Sequence, residues 1–544
     1  LRSGVGEVIN SHFSATFNNS AISGFALTGA ESIKLSGTES LTENIQLTFN
    51  NSTVSGVTTT DSNSVLNLNL NNSNWTTKAF TDEDGVVQTT SLTNLALNNG
   101  VVNLANDNYQ GIIVRGNLTG SGTFNLNTNI AENKSDKIVV KGTAEGNHKI
   151  GVTNQGANIA NGKVTLVETI GGNAAFSLTN PNNRVDLGAY QYFLTKEGNN
   201  WVLANSKNAV TPTPPVAPVT PSKPVVTPSK PAVTPSTPVV TPSNPVVPPA
   251  VLPSAPLLSD LANAQVSLRQ AQLLLVEDDL SGIHQRLGEV KNGEKGNVWV
   301  RNVNSHQKLA ALSTSESETS GFKQNVHSLQ VGADAAVTDN LRVGGFVGRS
   351  QANVDFNGDY GDGKVRSNSV GLYAAYLADN GIYVDNIVKY SRLHANSDHT
   401  EKRHYNAYTI SSELGKRFSL ANDWTITPQA QLAWTHISSQ ENEDSLSSVY
   451  SRIGLRVAKG FALSNGWNLQ PYAEVNAITS KNRSSKIHYT NSALDVASSR
   501  GRFESAVGLN AGFANHRFGL EVSRADGKNF DKPYAIQAVY RYQW

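Results

Sequence analysis

Tyr534-Ala-Ile-Gln-Ala-Val-Tyr-Arg-Tyr-Gln-Trp544 closes the chain and alternates with a period of two. In an extended backbone Tyr534, Ile536, Ala538, Tyr540, Tyr542 and Trp544 fall on one side, and Gln537, Arg541 and Gln543 on the other. Two upstream stretches repeat the pattern. Leu469, Pro471, Ala473 and Val475 oppose Gln470, Tyr472, Glu474 and Asn476, and Ile426, Pro428, Ala430, Leu432 and Trp434 oppose Thr427, Gln429 and Gln431. One face suits lipid and the other a wet lumen, which is what the wall of a transmembrane barrel requires.

Twelve segments from Gly296 onward share this patterning, at roughly 297–311, 323–338, 341–356, 365–378, 381–396, 405–420, 424–439, 450–463, 467–480, 501–514, 516–526 and 534–544. Tight turns at Asp339-Asn340, Asp379-Asn380-Gly381, Asn422-Asp423, Asn465-Gly466 and Asn515-His516 alternate with longer polar loops near 312–322, 357–364, 397–404, 440–449, 481–500 and 527–533. Short turns on one rim and long loops on the other are the habit of outer-membrane barrels, and Tyr383, Trp424, Trp467 and Tyr534 stand near strand ends, where an interfacial belt falls. The expectation is a twelve-stranded antiparallel transmembrane β-barrel. No run of 18 apolar residues occurs, which excludes a helical anchor, whereas alternating strands are compatible with the mean hydropathy of −0.32.

An even strand count puts both barrel ends on the short-turn, periplasmic rim, so whatever precedes Gly296 enters the lumen from inside. The Leu257–Asp279 segment reads as a helix with Pro256 suited to its first turn. Its apolar positions, among them Leu257, Leu261, Leu268 and Leu275, are interrupted by Asp260, Asn263, Gln265, Arg269, Gln270 and Gln272. Alone, such a segment fits a helix packed on a soluble domain as well as one in a water-lined pore. Beside a barrel wide enough for one helix it becomes a pore-threading helix.

Further upstream the composition changes. Residues 210–256 hold 16 of the 20 prolines and repeat Thr-Pro-Ser-x-Pro-x-Val from Thr220, Thr227, Thr234 and Thr241. This is a polyproline II spacer in preference to a docking ligand, and at about 3.1 Å per residue it reaches on the order of 140 Å. Residues 1–209 are rich in Asn, Thr, Ser and Gly. Phe17-Asn-Asn-Ser-Ala-Ile-Ser-Gly24 returns as Phe49-Asn-Asn-Ser-Thr-Val-Ser-Gly56, then more loosely at Leu70-Asn-Asn-Ser73 and Leu97-Asn-Asn-Gly100. Strands such as Val65-Leu-Asn-Leu-Asn-Leu70 bury their apolar side only when coils stack, so a parallel β-helix is expected over a disordered Ser/Asn-rich linker.

The sequence resembles monomeric autotransporters of type V secretion, specifically the pertactin-like adhesin group. The likeness rests on His284-Gln-Arg-Leu-Gly-Glu289, Val326-His-Ser-Leu-Gln-Val-Gly-Ala-Asp334, Val370-Gly-Leu-Tyr-Ala-Ala-Tyr376, Glu413-Leu-Gly-Lys-Arg-Phe418, Asn468-Leu-Gln-Pro-Tyr472 and Tyr540-Arg-Tyr-Gln-Trp544 in the last domain. In the first block it rests on Gly120-Ser-Gly-Thr-Phe124, Asp136-Lys-Ile-Val-Val140, Gly146-Asn-His-Lys149 and Gly188-Ala-Tyr190 through Trp201. The likeness implies an all-β architecture: a right-handed parallel β-helix passenger over 1–110, a cap or autochaperone region over 111–209, a linker over 210–256, a lumenal α-helix and linker over 257–295, and a barrel over 296–544. It also implies that Tyr540, Tyr542 and Trp544 form the signal read by the barrel-assembly machinery, and that Gly122, Phe124, Asp136, Gly146, Gly188, Tyr190 and Trp201 belong to the autochaperone motif. Implied partners are outer-membrane lipid, periplasmic chaperones and host or bacterial surface receptors. The implied location is the Gram-negative outer membrane with the passenger at the cell surface, after export by a signal peptide not contained in this stretch.

Some members release the passenger at paired Asn residues in the helix. No Asn-Asn occurs between 257 and 295, and Asp278-Asp279 and Asn263 match that pattern poorly, so release by this route is not expected. No cofactor, metal or catalytic set emerges. His394, His399 and His404 read as a solvated loop rather than metal ligands, and Gly358, Gly361 and Gly363 lack the strand and helix of a phosphate loop. The net charge of +1 with no basic stripe counts against nucleic acid, and the absence of cysteine suits an exported protein. Residues 1–209 carry 12 basic and 15 acidic side chains, too even for electrostatic docking. The expected role is adhesion or autoaggregation without enzymatic activity; the alternative is display of a protease- or esterase-like domain lying upstream.

Overall fold

The computed structural model describes residues 10–27, 42–60, 64–77, 80–81, 87–104, 109–156, 159–209, 252, 254–289, 291–314, 316–490 and 492–544. The expected proline spacer falls almost wholly outside them. Two compact units result, Leu1–Pro256 and Leu257–Trp544.

In the second unit twelve long strands form one antiparallel ladder: β1 (Gly296–Leu309), β2 (Phe322–Ala336), β3 (Leu341–Phe356), β4 (Asp362–Leu377), β5 (Ile382–Ser397), β6 (Thr400–Lys416), β7 (Trp424–Ile437), β8 (Leu446–Lys459), β9 (Trp467–Asn482), β10 (Arg502–Phe513), β11 (His516–Gly527) and β12 (Phe530–Gln543). Val298 pairs with Tyr542 and Leu309 with Phe530, so β1 closes on β12 and no edge strand is left. The alternation is the reverse of a soluble protein's. On β8, Ile453 is 71% exposed on the outside while its neighbour Arg452 is 5% exposed inside. Water in the lumen and hydrocarbon outside are the only pair of solvents that stabilises this arrangement.

Three turns on one rim use left-handed conformations that Gly, Asn and Asp adopt most readily, at Gly381, Asn422, Asp423 and Gly466, and the turn between β10 and β11 places Ala514 there. On the opposite rim two expected loops are not loops. Ser397 pairs with Thr400, leaving Asp398-His399 as a two-residue turn, and β11 and β12 are joined by Lys528-Asn529 alone. Polar residues alternate as well in a strand as in a loop once each backbone group has a ladder partner, so polarity alone overestimated these connections. His394 and His404 consequently sit opposite each other on β5 and β6 rather than in a loop.

The first unit is a stack of parallel coils. One sheet runs through Asn10–Asn18, Thr42–Asn50, Val65–Asn71, Asn94–Asn103, Leu118–Asn129, Asn147–Asn154 and Ala175–Leu178 in parallel register. The sequence echoes are stacked rungs: Phe17 lies on Phe49, Phe49 on Leu70 and Leu70 on Leu97. Asn19, Asn51, Asn72 and Asn99 all take positive φ at the corner that follows. There Ser20 N donates to Ser52 Oγ at 3.0 Å and Ser52 N to Ser73 Oγ at 2.9 Å, tying coil to coil. The opposite sheet is parallel through Thr90–Leu92, Gly111–Val114, Lys137–Val140 and Lys163–Thr169. It then ends in three antiparallel strands, Asn200–Ala204, Tyr190–Glu197 and Val185–Leu187, which cover the edge of Lys163–Thr169.

Candidate functional site

The helix inside the barrel is the centre of the second unit. Helix α1 (Asp260–Asp278) starts where Ser259 accepts a hydrogen bond from Ala262 N at 3.2 Å, which satisfies one of the free N–H groups of its first turn. Leu257 and Pro256 therefore precede the helix, a correction to the expected start; Leu257 instead bridges to Glu318. Ala262 through Glu277 are buried on every side, although the helix has no continuous apolar face. Leu268 and Leu275 are buried as a pore helix requires, and Gly363 on the wall makes room for Leu268. Leu261 is 40% exposed near the rim.

The polar positions find partners at successive depths. Near the long-loop rim Tyr360 donates to the Leu258 carbonyl at 3.0 Å, and Asn263 exchanges two 2.9 Å bonds with Ser320. Lower, Arg269 donates to the Asp444 carbonyl at 2.7 Å and lies over the Tyr405 ring. Tyr489 donates to Gln265, Gln270 to the Ala497 carbonyl, and Ser480 to Glu277. At the helix end Ser305 reaches Asp278 at 3.1 Å, and Ser328 and Ser350 reach Asp279 at 2.7 and 2.5 Å. A lumen lined with hydroxyls, amides and carbonyls accepts a helix that is polar all round.

A second helix, α2 (Ile283–Leu287), continues the path and was not foreseen. Ile283 N donates to Glu413, Arg286 forms a 2.7 Å ion pair with Asp385 while stacking over Tyr373, and Gln285 reaches Glu474. Arg417 then pairs with Glu289 at 2.7 Å, and Asn292 donates to Asp379 in a short turn. Lys295 N finally donates to the Trp544 carbonyl. The chain thus descends from the long-loop rim to the short-turn rim. Below α2 a cavity of about 460 Å³ remains, lined in part by His284, Leu287, Glu289, Arg417, Tyr472 and Arg541. The inward charges (Asp385, Glu413, Arg452, Glu474) were readable as charged residues at alternate strand positions, but not their pairing.

Tyr540 and Tyr542 lie on the outward face of β12, and Trp544 follows directly after it. Tyr542 and Trp544 are 36% and 53% exposed, and Tyr540 packs on Phe518 at 5.3 Å. In the coil stack Phe124, Asp136, Tyr190 and Trp201 are buried, Gly146 is half-buried and Gly188 is exposed. Phe124 begins an aromatic column that passes through His148 and Phe176 to Trp201, with centroids 5.9, 5.3 and 5.6 Å apart. Gly146 has φ +96°, and a Cβ there would lie 1.8 Å from the Gly120 carbonyl oxygen; a Cβ on Gly122 would strike Gly100 and Leu97. Gly188 turns with φ +52° into buried Tyr190. Asp136 is fully buried and accepts from Gln110 N at 2.6 Å and Asn127 N at 2.5 Å. Burial pushes its carboxyl up to about 6 against the pull of those bonds. Among the described residues no group of three or more potential ligands could hold a metal.

A closed antiparallel barrel with an apolar outer face, threaded by the helix that precedes it in sequence, defines an outer-membrane β-barrel protein. The chain belongs to the autotransporters: residues 298–523 match the autotransporter β-domain and residues 92–205 match pertactin. It is 31% identical over 390 residues to the pertactin autotransporter of Bordetella bronchiseptica, covering 67% of this chain and 41% of that protein. It is 24% identical over 319 residues to the serine protease EspP of Escherichia coli, covering 52% and 23% respectively. The crystal structure of the β domain of the Bordetella autotransporter BrkA matches with a TM-score of 0.40 at 25% identity, over 46% of this chain and 100% of that one. The chain thus spans about two fifths of the length of its pertactin relatives.

Proposed function

We propose that the barrel delivers the residues before it to the surface of a Gram-negative cell and holds them there, and that the coil stack acts by binding host or bacterial surfaces, in adhesion or autoaggregation, without catalysis. The carrying observation is the path of the chain. Helix α1 begins among the long loops and leads through α2 to the short-turn rim, where β1 starts and β12 ends. With short turns in the periplasm, everything upstream of Leu257 leaves on the outside.

The pertactin match over 92–205 supports the binding reading. Stacked coils present long, regular faces, a geometry suited to extended surfaces rather than to a cleft. The antiparallel cap at Tyr190–Ala204 supports a templating role for the region around it, since a capped end offers the next coil a finished edge on one side only. Tyr540, Tyr542 and Trp544 suit recognition by the assembly machinery before the strand is buried in lipid, with periplasmic chaperones protecting it until then.

Two measurements on a non-adherent strain expressing the chain test this. Protease added to intact cells should remove the coil stack and spare the barrel, and aggregation or epithelial binding should rise. A passenger that resists shaving would overturn the display reading; display with no gain in either adhesion assay would overturn the adhesive one.

A further inference from the structure

The outward wall of β3 to β6 carries two chemical zones. The lower one is apolar, with Val347, Val370, Val388 and Ile410 between 50% and 60% exposed. It ends at Tyr390 and Tyr408, whose rings pack 5.4 Å apart, as aromatics do at headgroup level. Nearer the long-loop rim the outward positions mix amides (Asn368, Gln351, Asn406) with cations: Arg349 on β3, Arg366 on β4, Arg392 and His394 on β5, and His404 and Lys402 on β6, with outward Asp355 closer to the rim on β3. The ladder sets Arg366 opposite His394 and His394 opposite His404, with the two imidazoles 4.4 Å apart.

Side chains directly opposite on adjacent strands are about 5 Å apart, and like charges in that position repel. Some cations of the barrel are paired, as Arg286 is with Asp385, Arg452 with Glu413 and Glu474, and outward Arg524 with Asp526. Among the described residues Arg349, Arg392 and Lys402 make no ion pair or hydrogen bond, and Arg366 holds only Gln351 Oε1 at 3.2 Å. An unneutralised row of cations directly above an apolar wall is complementary to one kind of molecule: an amphiphile with acyl chains below and anionic groups above. Arg suits phosphate in particular, through its planar fork of donors.

We infer that this patch binds the phosphate groups of a phosphorylated outer-leaflet glycolipid of the lipid A type. Its chains would lie along Val347, Val370 and Val388, and its phosphates among Arg366, Arg392 and His394. The inference rests on the orientation proposed above, with the long loops outside.

The test is native mass spectrometry of the full chain refolded in neutral detergent and titrated with bis-phosphorylated lipid A. Parallel arms use the dephosphorylated glycolipid, phosphatidylethanolamine, and inorganic phosphate as competitor, and a heat-modifiable gel shift confirms that each variant is folded. The wild type should retain the phosphorylated lipid at concentrations about tenfold lower than the R366Q/R392Q/H394Q variant, and tenfold lower than it retains the dephosphorylated form or phosphatidylethanolamine. The R366K/R392K variant should bind more weakly than wild type but more tightly than the triple variant, and R524Q should match wild type. Equal binding by the triple variant, equal binding of the dephosphorylated lipid, or displacement by millimolar inorganic phosphate would overturn the proposal. Cell shaving does not enter this assay: a shaved passenger with no lipid bound removes this inference alone, and an unshaved one removes the display reading.

Discussion

Asp136 sits with both carboxylate oxygens against backbone N–H groups 26 and 9 residues away in sequence, from Gln110 and Asn127, in a fully buried pocket of the coil stack. Its folded pKa of about 6 lies above the roughly 3.9 of an unfolded aspartate. The folded state therefore binds the proton more tightly, and this group's contribution to stability is complete below about pH 4 and declines as pH rises through 6. His148 works in the opposite sense: burial lowers its pKa, so its contribution is lost as pH falls below the usual imidazole range. The comparison with D136N isolates the first effect. The stability advantage of wild type over D136N, read from the tryptophan emission of the coil-stack transition, should be larger at pH 4 than at pH 7 by on the order of 2 kcal/mol; a gap independent of pH would refute it. Gly146→Ala forces a Cβ onto the Gly120 carbonyl at positive φ. It should destabilise the same transition by about 1–3 kcal/mol or stop the stack from forming. Both residues stood out in the sequence only through family resemblance. The aromatic column from Phe124 to Trp201 was half visible: its end members were singled out, but His148 and Phe176 join them only when coils stack.

Helix α1 shows how an element can be read correctly and its ends misplaced. Its polar interruptions at membrane length fit a soluble-domain helix as well, and only the adjacent barrel points to the lumen, where the structure puts it; its first turn is capped by the Ser259 oxygen and Pro256 lies outside it. Helix α2 escaped because five residues are too few for periodicity to register. What anchors it is Arg286, paired with Asp385 where both side chains are at most 1% exposed. Removing one partner leaves the other charge buried and alone, at a cost of about 3–5 kcal/mol. R286Q and D385N should each lower the temperature at which the barrel loses its heat-modifiable gel mobility. The R286Q/D385N double variant should lose less than the two single shifts added together. Strict additivity would show that the pair is not coupled.

Taken as a molecule, the chain holds its helix in place by contacts along the full depth of the barrel, and Asn263, Asp278 and Asp279 are each engaged by the wall or its loops. Outer membranes should accordingly contain one full-length species on an immunoblot; a barrel-sized fragment beginning within 257–285 would contradict this. The strand count, the division of each strand into a lipid and a lumen face, and the stacking of the Asn-rich echoes were all present in the amino-acid order. Side-chain alternation and coil repeats are local properties, fixed by the two-residue and one-coil periods of the backbone. Closure was not local. The pairing of Val298 with Tyr542, the meeting of Arg286 with Asp385 and the row from Arg366 to His404 depend on how far each strand is staggered against its neighbour. That stagger is settled only when the barrel closes and the helix fills it, because a long-range partner has no energetic meaning until both strands share one wall.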